Sequence, residues 1–199
     1  DGGNRKEAAP ENIRGFDVRT GELSWEFNVV PRPGETGYDT WGEGSAEWSG
    51  DIGSWCCLSA DNELGIVYVP LGAPTSAYYG GHRPGDNLFA NSLLALDAET
   101  GERVWHFQMI HHDLWEYDNS SPPILGDITV NGRTIKAVMQ ANKNGFVYVF
   151  DRTNGEPVWP IIETPVPQSI VEGEATSATQ PIPTKPPAFD RQGITSDDL

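Results

Sequence analysis

Cysteine is almost missing from this sequence: 199 residues hold two, Cys56 and Cys57, side by side. One pair cannot make a disulfide framework, and neighbouring cysteines bond only through a strained small ring. The pair reads either as two small buried hydrophobes in a strand or as a vicinal disulfide, which needs an oxidising compartment. Positive charge is scarce too. Thirteen Lys and Arg face 29 Asp and Glu, leaving a net charge of −16 and a pI near 4.4. So acidic a surface repels phosphate backbones and anionic lipid, which argues against nucleic acid and membrane surfaces as partners. No run approaches the ~20 apolar residues of a membrane-spanning helix, and no basic-then-apolar signal peptide opens the chain.

Helical periodicity is also absent, and the 22 Gly and 16 Pro argue against a helical bundle. Apolar content is low at 37%. Even so, 7 Trp, 6 Tyr and 7 Phe are too many aromatics for a disordered chain. The first residue is Asp1 and the last Leu199, without a closing element, so the sequence reads as a piece of a longer protein or as a mature chain cut at both ends.

What the sequence does contain is a repeat. Gly15-Phe16-Asp17-Val18-Arg19-Thr20-Gly21-Glu22-Leu23-Ser24-Trp25 returns as Ala95 to Trp105 and again as Val149 to Trp159. Each copy has an Asp, a Gly four residues on, Glu directly after it, and Trp eight residues after the Asp. The Asp can end a strand and accept turn amides, the Gly supplies a positive φ, and the Trp points to a fixed face of the next strand. A large aromatic at the same place in each unit suggests docking against the neighbouring unit. Asp17, Asp97 and Asp151 lie 80 and 54 residues apart. Propeller blades repeat at roughly 40–50 residues, so the second step is one blade with an insertion and the first either a blade plus a long excursion or two degenerate blades.

Further strands are expected at Leu64–Pro70, Thr134–Met139 and Phe146–Phe150, with a two-residue hairpin turn at Asn131-Gly132. The fold class expected is all-β. Residues 1–160 form the blades, with a long inserted loop near 31–54. Residues 161–199 form a Pro-rich extended segment leading to the next blade, without much sheet of its own.

Three places can carry chemistry. His111-His112-Asp113-Leu114-Trp115-Glu116-Tyr117-Asp118-Asn119 follows the Trp105 strand and packs two His, three carboxylates and two aromatics into nine residues. It can supply a general base or hard-metal ligands, or be a solvated loop whose carboxylates make turn bonds. Lys143 sits at the tip between two apolar strands, where a lysine is ordinarily solvated. Trp55 follows a Gly-rich loop and can serve as core or as a ligand platform.

The docking repeats, HHDLWEYD, ANKNGFVYVFDRTNGEPVWP and the tail TPVPQ…TQPIPTKPPAFD together resemble the pyrroloquinoline quinone (PQQ)-dependent dehydrogenases, above all their membrane-bound glucose and quinate branch. The likeness runs from Ile13 to about Asp190. It implies about three blades of an eight-bladed β-propeller with tryptophan-docking repeats, with PQQ beside Ca²⁺ or Mg²⁺ on the axis. It also implies oxidation of an alcohol, sugar or polyol in the periplasm, with electrons passed to ubiquinone or a cytochrome and any membrane anchor outside this piece. By the same resemblance Glu116 is the catalytic carboxylate, where the family usually has Asp, with Asp118 and Asp113 as fallbacks. Lys143 is the cation on the quinone carbonyls, and Trp55 stacks on the cofactor ring. The metal ligands are not assigned: Ala73 cannot coordinate, and Thr75 is the nearest oxygen. The rival reading is a non-catalytic propeller scaffold, of the kind that assists outer-membrane assembly.

Overall fold

The computed structural model describes residues 5–193. Eleven strands pair antiparallel into four sheets. β1 (Ile13–Phe16) and β2 (Leu23–Phe27) form the first, and β3 (Ser59–Asp61), β4 (Ile66–Pro70), β5 (Ser92–Asp97) and β6 (Arg103–Gln108) the second. The third holds β7 (Ile124–Val130), β8 (Arg133–Ala141) and β9 (Val147–Asp151), and the fourth β10 (Ile161–Pro165) and β11 (Thr179–Pro183). The all-β expectation holds: among the described residues the helical elements are short 3-10 turns at Tyr38–Thr40 and Gly42–Glu47.

The repeated motif builds one turn three times. In each copy the Gly amide donates to the Asp carbonyl at 2.8–2.9 Å, and the Asp amide donates to the carbonyl of the Glu after the Gly. The Asp carboxylate accepts amides inside the turn, from Arg19 and Thr20, from Glu99 and Thr100, and from Thr153. Gly21, Gly101 and Gly155 have φ of 75°, 74° and 78°, a region that costs a side-chain-bearing residue free energy. A fourth copy, without the Trp, closes the β3–β4 hairpin. Asp61 accepts the amides of Glu63 and Leu64, and Gly65 donates back to the Asp61 carbonyl. That is why the strand expected from Leu64 starts at Ile66.

Two of the three motif tryptophans, Trp25 and Trp105, dock as the repeat suggested. Trp25 donates its indole N–H to Ala98 O at 3.1 Å, and Trp105 does the same to Arg152 O at 3.1 Å. Each acceptor directly follows the Asp of the next motif. The rings lie where a Cβ on Gly101 or Gly155 would stand, 2.5 and 2.7 Å from the nearest indole carbon.

β4 and β5 are buried on both faces, which explains the uninterrupted Leu93-Leu94-Ala95-Leu96. Val69, Leu94 and Leu96 pack toward Val29, Trp41, Ile52 and Phe89. Ile66, Tyr68, Leu93 and Ala95 pack toward Trp105, Val138, Tyr148 and Phe150. Between β2 and β3 the long loop is tied in by Trp41, 4% exposed, whose indole donates to Leu88 O at 2.5 Å.

Two expectations change. Cys56 and Cys57 are unpaired thiols outside any strand, Cys56 half-buried and Cys57 exposed, because the chain does not enter β3 until Ser59. The Pro-rich stretch does pair, as β10 with β11. Pro181 and Pro183 alternate along β11, so their missing N–H groups fall on one side and leave the other able to bond.

Register decides where the loops emerge. Pro70 pairs with Leu93, Ser92 with Gln108, and Ala141 with Val147. Ser59 donates to Pro123 O, which brings the two larger sheets together at that end. The segment before β3, the β4–β5 and β6–β7 connections and the β8–β9 turn therefore gather at one end. Three of the Asp–Gly turns, at 61–65, 97–101 and 151–155, lie at the other.

Candidate active site

The β6–β7 connection, residues 109–123, is folded around a buried carboxylate. Asp113 is 1% exposed. Its Oδ1 accepts the Trp115 amide at 2.8 Å, and its Oδ2 accepts the Tyr117 amide and the Asn91 side-chain amide, both at 2.7 Å. The residue between those two clasped amides is Glu116, held at φ 59°. Behind the clasp lies Arg83, wholly buried, donating to Asn87 Oδ1, to Ser76 O and to the Asp113 carbonyl. Burial pushes the Asp113 carboxyl above its usual range and pulls the Arg83 guanidinium down to about 10.

Three asparagines fix the rest of the connection. Asn91 and Asn142 both donate to Tyr117 O, Asn142 also donates to Asn119 Oδ1, and Asn119 donates to Leu71 O. Asp118, 7% exposed, accepts the Ala73 amide on Oδ1 at 2.7 Å and the Lys143 ammonium on Oδ2 at 2.6 Å. Lys143 also donates its backbone N–H to Asp118 O, so its stem and its head are both anchored. The ammonium stands 5.4 Å from the centre of the Trp55 ring, and Trp55 is 64% exposed. Glu116 is half-buried, and its Oε2 accepts a hydrogen bond from the Tyr78 hydroxyl at 2.6 Å.

Trp55, Glu116, Asp118 and Lys143 line one cavity of about 410 Å³, together with Glu11 and Asp51. Residues far apart in sequence thus meet: an open aromatic face, a fixed cation and a carboxylate with one oxygen engaged. A larger cavity, about 590 Å³, lies on the side of the loop faced by Trp115 and Tyr117, whose rings stack 5.7 Å apart.

The histidines take no part. His112 is buried and pairs its Nδ1 with Gly85 O, and burial lowers its proton affinity. His111 is bound between Gln108 and Glu163. Asp113 also drops out as a base, since both of its oxygens serve the loop. Thr75 is buried, and its hydroxyl is taken up between the Gly50 amide and Lys6 O. Among the described residues no three His, Cys, Asp or Glu gather closely enough to hold a metal ion.

Arg83, Asn91 and Tyr78 are the contributors that sequence reading missed. Each sits in the β4–β5 connection without a neighbouring motif, and nothing local marks it. Asn119 and Asn142 were in view, but only as neighbours of other residues.

All 199 residues match the family described as the PQQ β-propeller domain of glucose, ethanol and alcohol dehydrogenases. The chain is 41% identical over 177 residues to quinoprotein glucose dehydrogenase of Escherichia coli K12, covering 85% of this chain and 21% of that protein. It is 37% identical over 191 residues to the glycerol dehydrogenase large subunit of Gluconobacter oxydans, covering 94% and 25%. The crystal structure of quinohemoprotein alcohol dehydrogenase from Comamonas testosteroni superposes with a TM-score of 0.69 at 31% identity, covering 90% of this chain and 28% of that one. This chain therefore spans about a quarter of the length of the relatives it matches.

Proposed function

The chain belongs to the PQQ β-propeller domain family of glucose, ethanol and alcohol dehydrogenases, and on that premise we propose that it carries the catalytic and quinone-facing side of an oxidoreductase site. Four sheets with one-way tryptophan docking then correspond to about three blades of an eight-bladed ring. The observation that carries the reading is the single cavity shared by Trp55, Lys143, Glu116 and Asp118.

Those residues fit the cofactor. PQQ is planar, aromatic and anionic, and an exposed indole beside an anchored ammonium offers it a stacking face and a counter-charge. The carboxylates at this cavity are already engaged, Asp118 by Ala73 and Lys143 and Glu116 by Tyr78 on one oxygen, so the ligands of a Ca²⁺ or Mg²⁺ ion would come from other residues of the longer protein. Bound PQQ supplies the two-electron acceptor for the hydride leaving the substrate carbon.

The chain's own residues do the remainder. Glu116 Oε1 takes the proton of the substrate hydroxyl, acting as general base. Lys143, held by Asp118, keeps a positive charge over the Trp55 face, where charge develops as the electrons move. Asp118 keeps that ammonium from swinging to solvent, and the Asp113 clasp fixes the height of Glu116. The substrate is an alcohol, sugar or polyol, the final acceptor ubiquinone or a cytochrome, and the compartment the periplasm. The scaffold alternative is not favoured, since the relatives matched are named as dehydrogenases.

The test uses the complete protein, reconstituted with PQQ and Ca²⁺ and offered a panel of sugars, polyols and alcohols. Dye reduction that requires PQQ is expected with at least one. Glu116→Gln should lower turnover at least about a hundredfold, the scale of a lost general base, while PQQ still binds. Undiminished turnover in that variant would remove Glu116 from the role.

A further inference from the structure

Tyr78 lies in the β4–β5 connection and reaches across to the β6–β7 connection, donating its hydroxyl to Glu116 Oε2 at 2.6 Å. Its ring is 61% exposed, so the core does not demand an aromatic there. The contact made by its polar end is with the carboxylate that the reading above makes the base. Glu116 Oε1 has no hydrogen bond among the described residues.

We propose that Tyr78 is a positioning residue for Glu116: its phenol occupies Oε2, fixes the carboxylate plane, and leaves Oε1 to receive the substrate's hydroxyl proton. The proposal rests on Glu116 being the base. A glutamate carboxylate, four bonds from Cα, has three side-chain torsions to lose, and a fixed donor on one oxygen removes that freedom before substrate arrives. The same contact raises the proton affinity of the Tyr78 phenol.

Tyr78→Phe keeps the ring and removes the donor. In the complete, PQQ-loaded protein kcat should fall about threefold to tenfold with KM within about twofold, because a loosened base is felt in the transition state more than in substrate binding. A rise in KM with kcat unchanged would overturn the proposal. A second readout needs neither cofactor nor turnover. With ¹³Cζ-labelled tyrosine in the complete apo-protein, the Tyr78 resonance (assigned by its loss in Tyr78→Phe) should titrate above the usual tyrosine range and fall back toward it in Glu116→Gln. Identical titration in the two proteins would overturn the contact itself. The failures separate cleanly. If Glu116→Gln still turns over, the base assignment and the role of Tyr78 fall together. If it is inactive and Tyr78→Phe leaves kcat unchanged, the base stands and Tyr78 alone falls.

Discussion

Single residues here are set by what surrounds them more than by what they are. Among the carboxylates of the HHDLWEYD stretch, Asp113 spends both oxygens on the loop, Asp118 spends both on Ala73 and Lys143, and Glu116 keeps one to use. Sequence alone offered all three as candidates, because the amides that consume Asp113 are invisible until the loop closes. His106 shows the same dependence. Its ring packs edge-on to Phe89 at 4.9 Å, and its Nδ1 lies 3.0 Å from the Arg103 guanidinium. Burial first, and Arg103 second, pull its pKa from 6.5 to about 4. A neutral histidine is therefore expected down to about pH 4, which histidine NMR in the folded protein reads directly. The unfolded chain binds that proton first, so the stability His106 contributes is present above pH 6.5 and is lost as pH falls from there toward 4.

Elements were legible wherever their cause was local. The Asp–Gly turns, the Asn131-Gly132 hairpin and the docking tryptophans are written within eleven residues or fewer, and they fold as those residues dictate. The Pro-rich stretch misled because proline's missing N–H was weighed without its spacing: alternate prolines leave one bonding edge intact. Of the candidate site, the cavity-lining Trp55, Glu116 and Lys143 stood out in the sequence, but the frame of Arg83, Asn91 and Tyr78 did not. That frame depends on the β4–β5 connection folding back over the β6 end. The turns also allow a controlled comparison. Gly21 and Gly101 share a φ near 75°, but a Cβ on Gly21 meets nothing within 4 Å and one on Gly101 meets the Trp25 ring. Gly21→Ala should cost about 1–2 kcal/mol from backbone strain alone. Gly101→Ala should cost at least about 1 kcal/mol more, because the indole must leave its seat. Urea unfolding of the two variants side by side measures the difference.

At the scale of the whole chain, the sheets are joined by packing at their faces and by charge at the end away from the cavity. Arg152, at the end of β9, donates to Asp61 Oδ2 at 2.6 Å and to Asp127 Oδ1 at 3.0 Å, tying the second sheet to the third. The Arg152 hydrogen bond holds the Asp61 carboxyl below its usual range. The stabilisation is thus complete above the ordinary Asp value and disappears as pH falls through the depressed one. Asp61→Asn should destabilise by roughly 1–3 kcal/mol at pH 7, less than a bare buried ion would because Asp127 still serves Arg152. It should also flatten the acid side of the stability curve, and chemical unfolding at pH 7 and pH 2 tests both.

The contact between units has a direction. Trp25 belongs to one unit and its seat, the 97–102 turn, to the next, and that turn is closed by its own backbone bonds. A unit that loses its tryptophan leaves the seat intact. A seat that gains a methyl expels a ring contributed from earlier in the chain. Injury therefore travels upstream, against the order of synthesis, and a fault in one unit shows itself first as looseness in the unit before it.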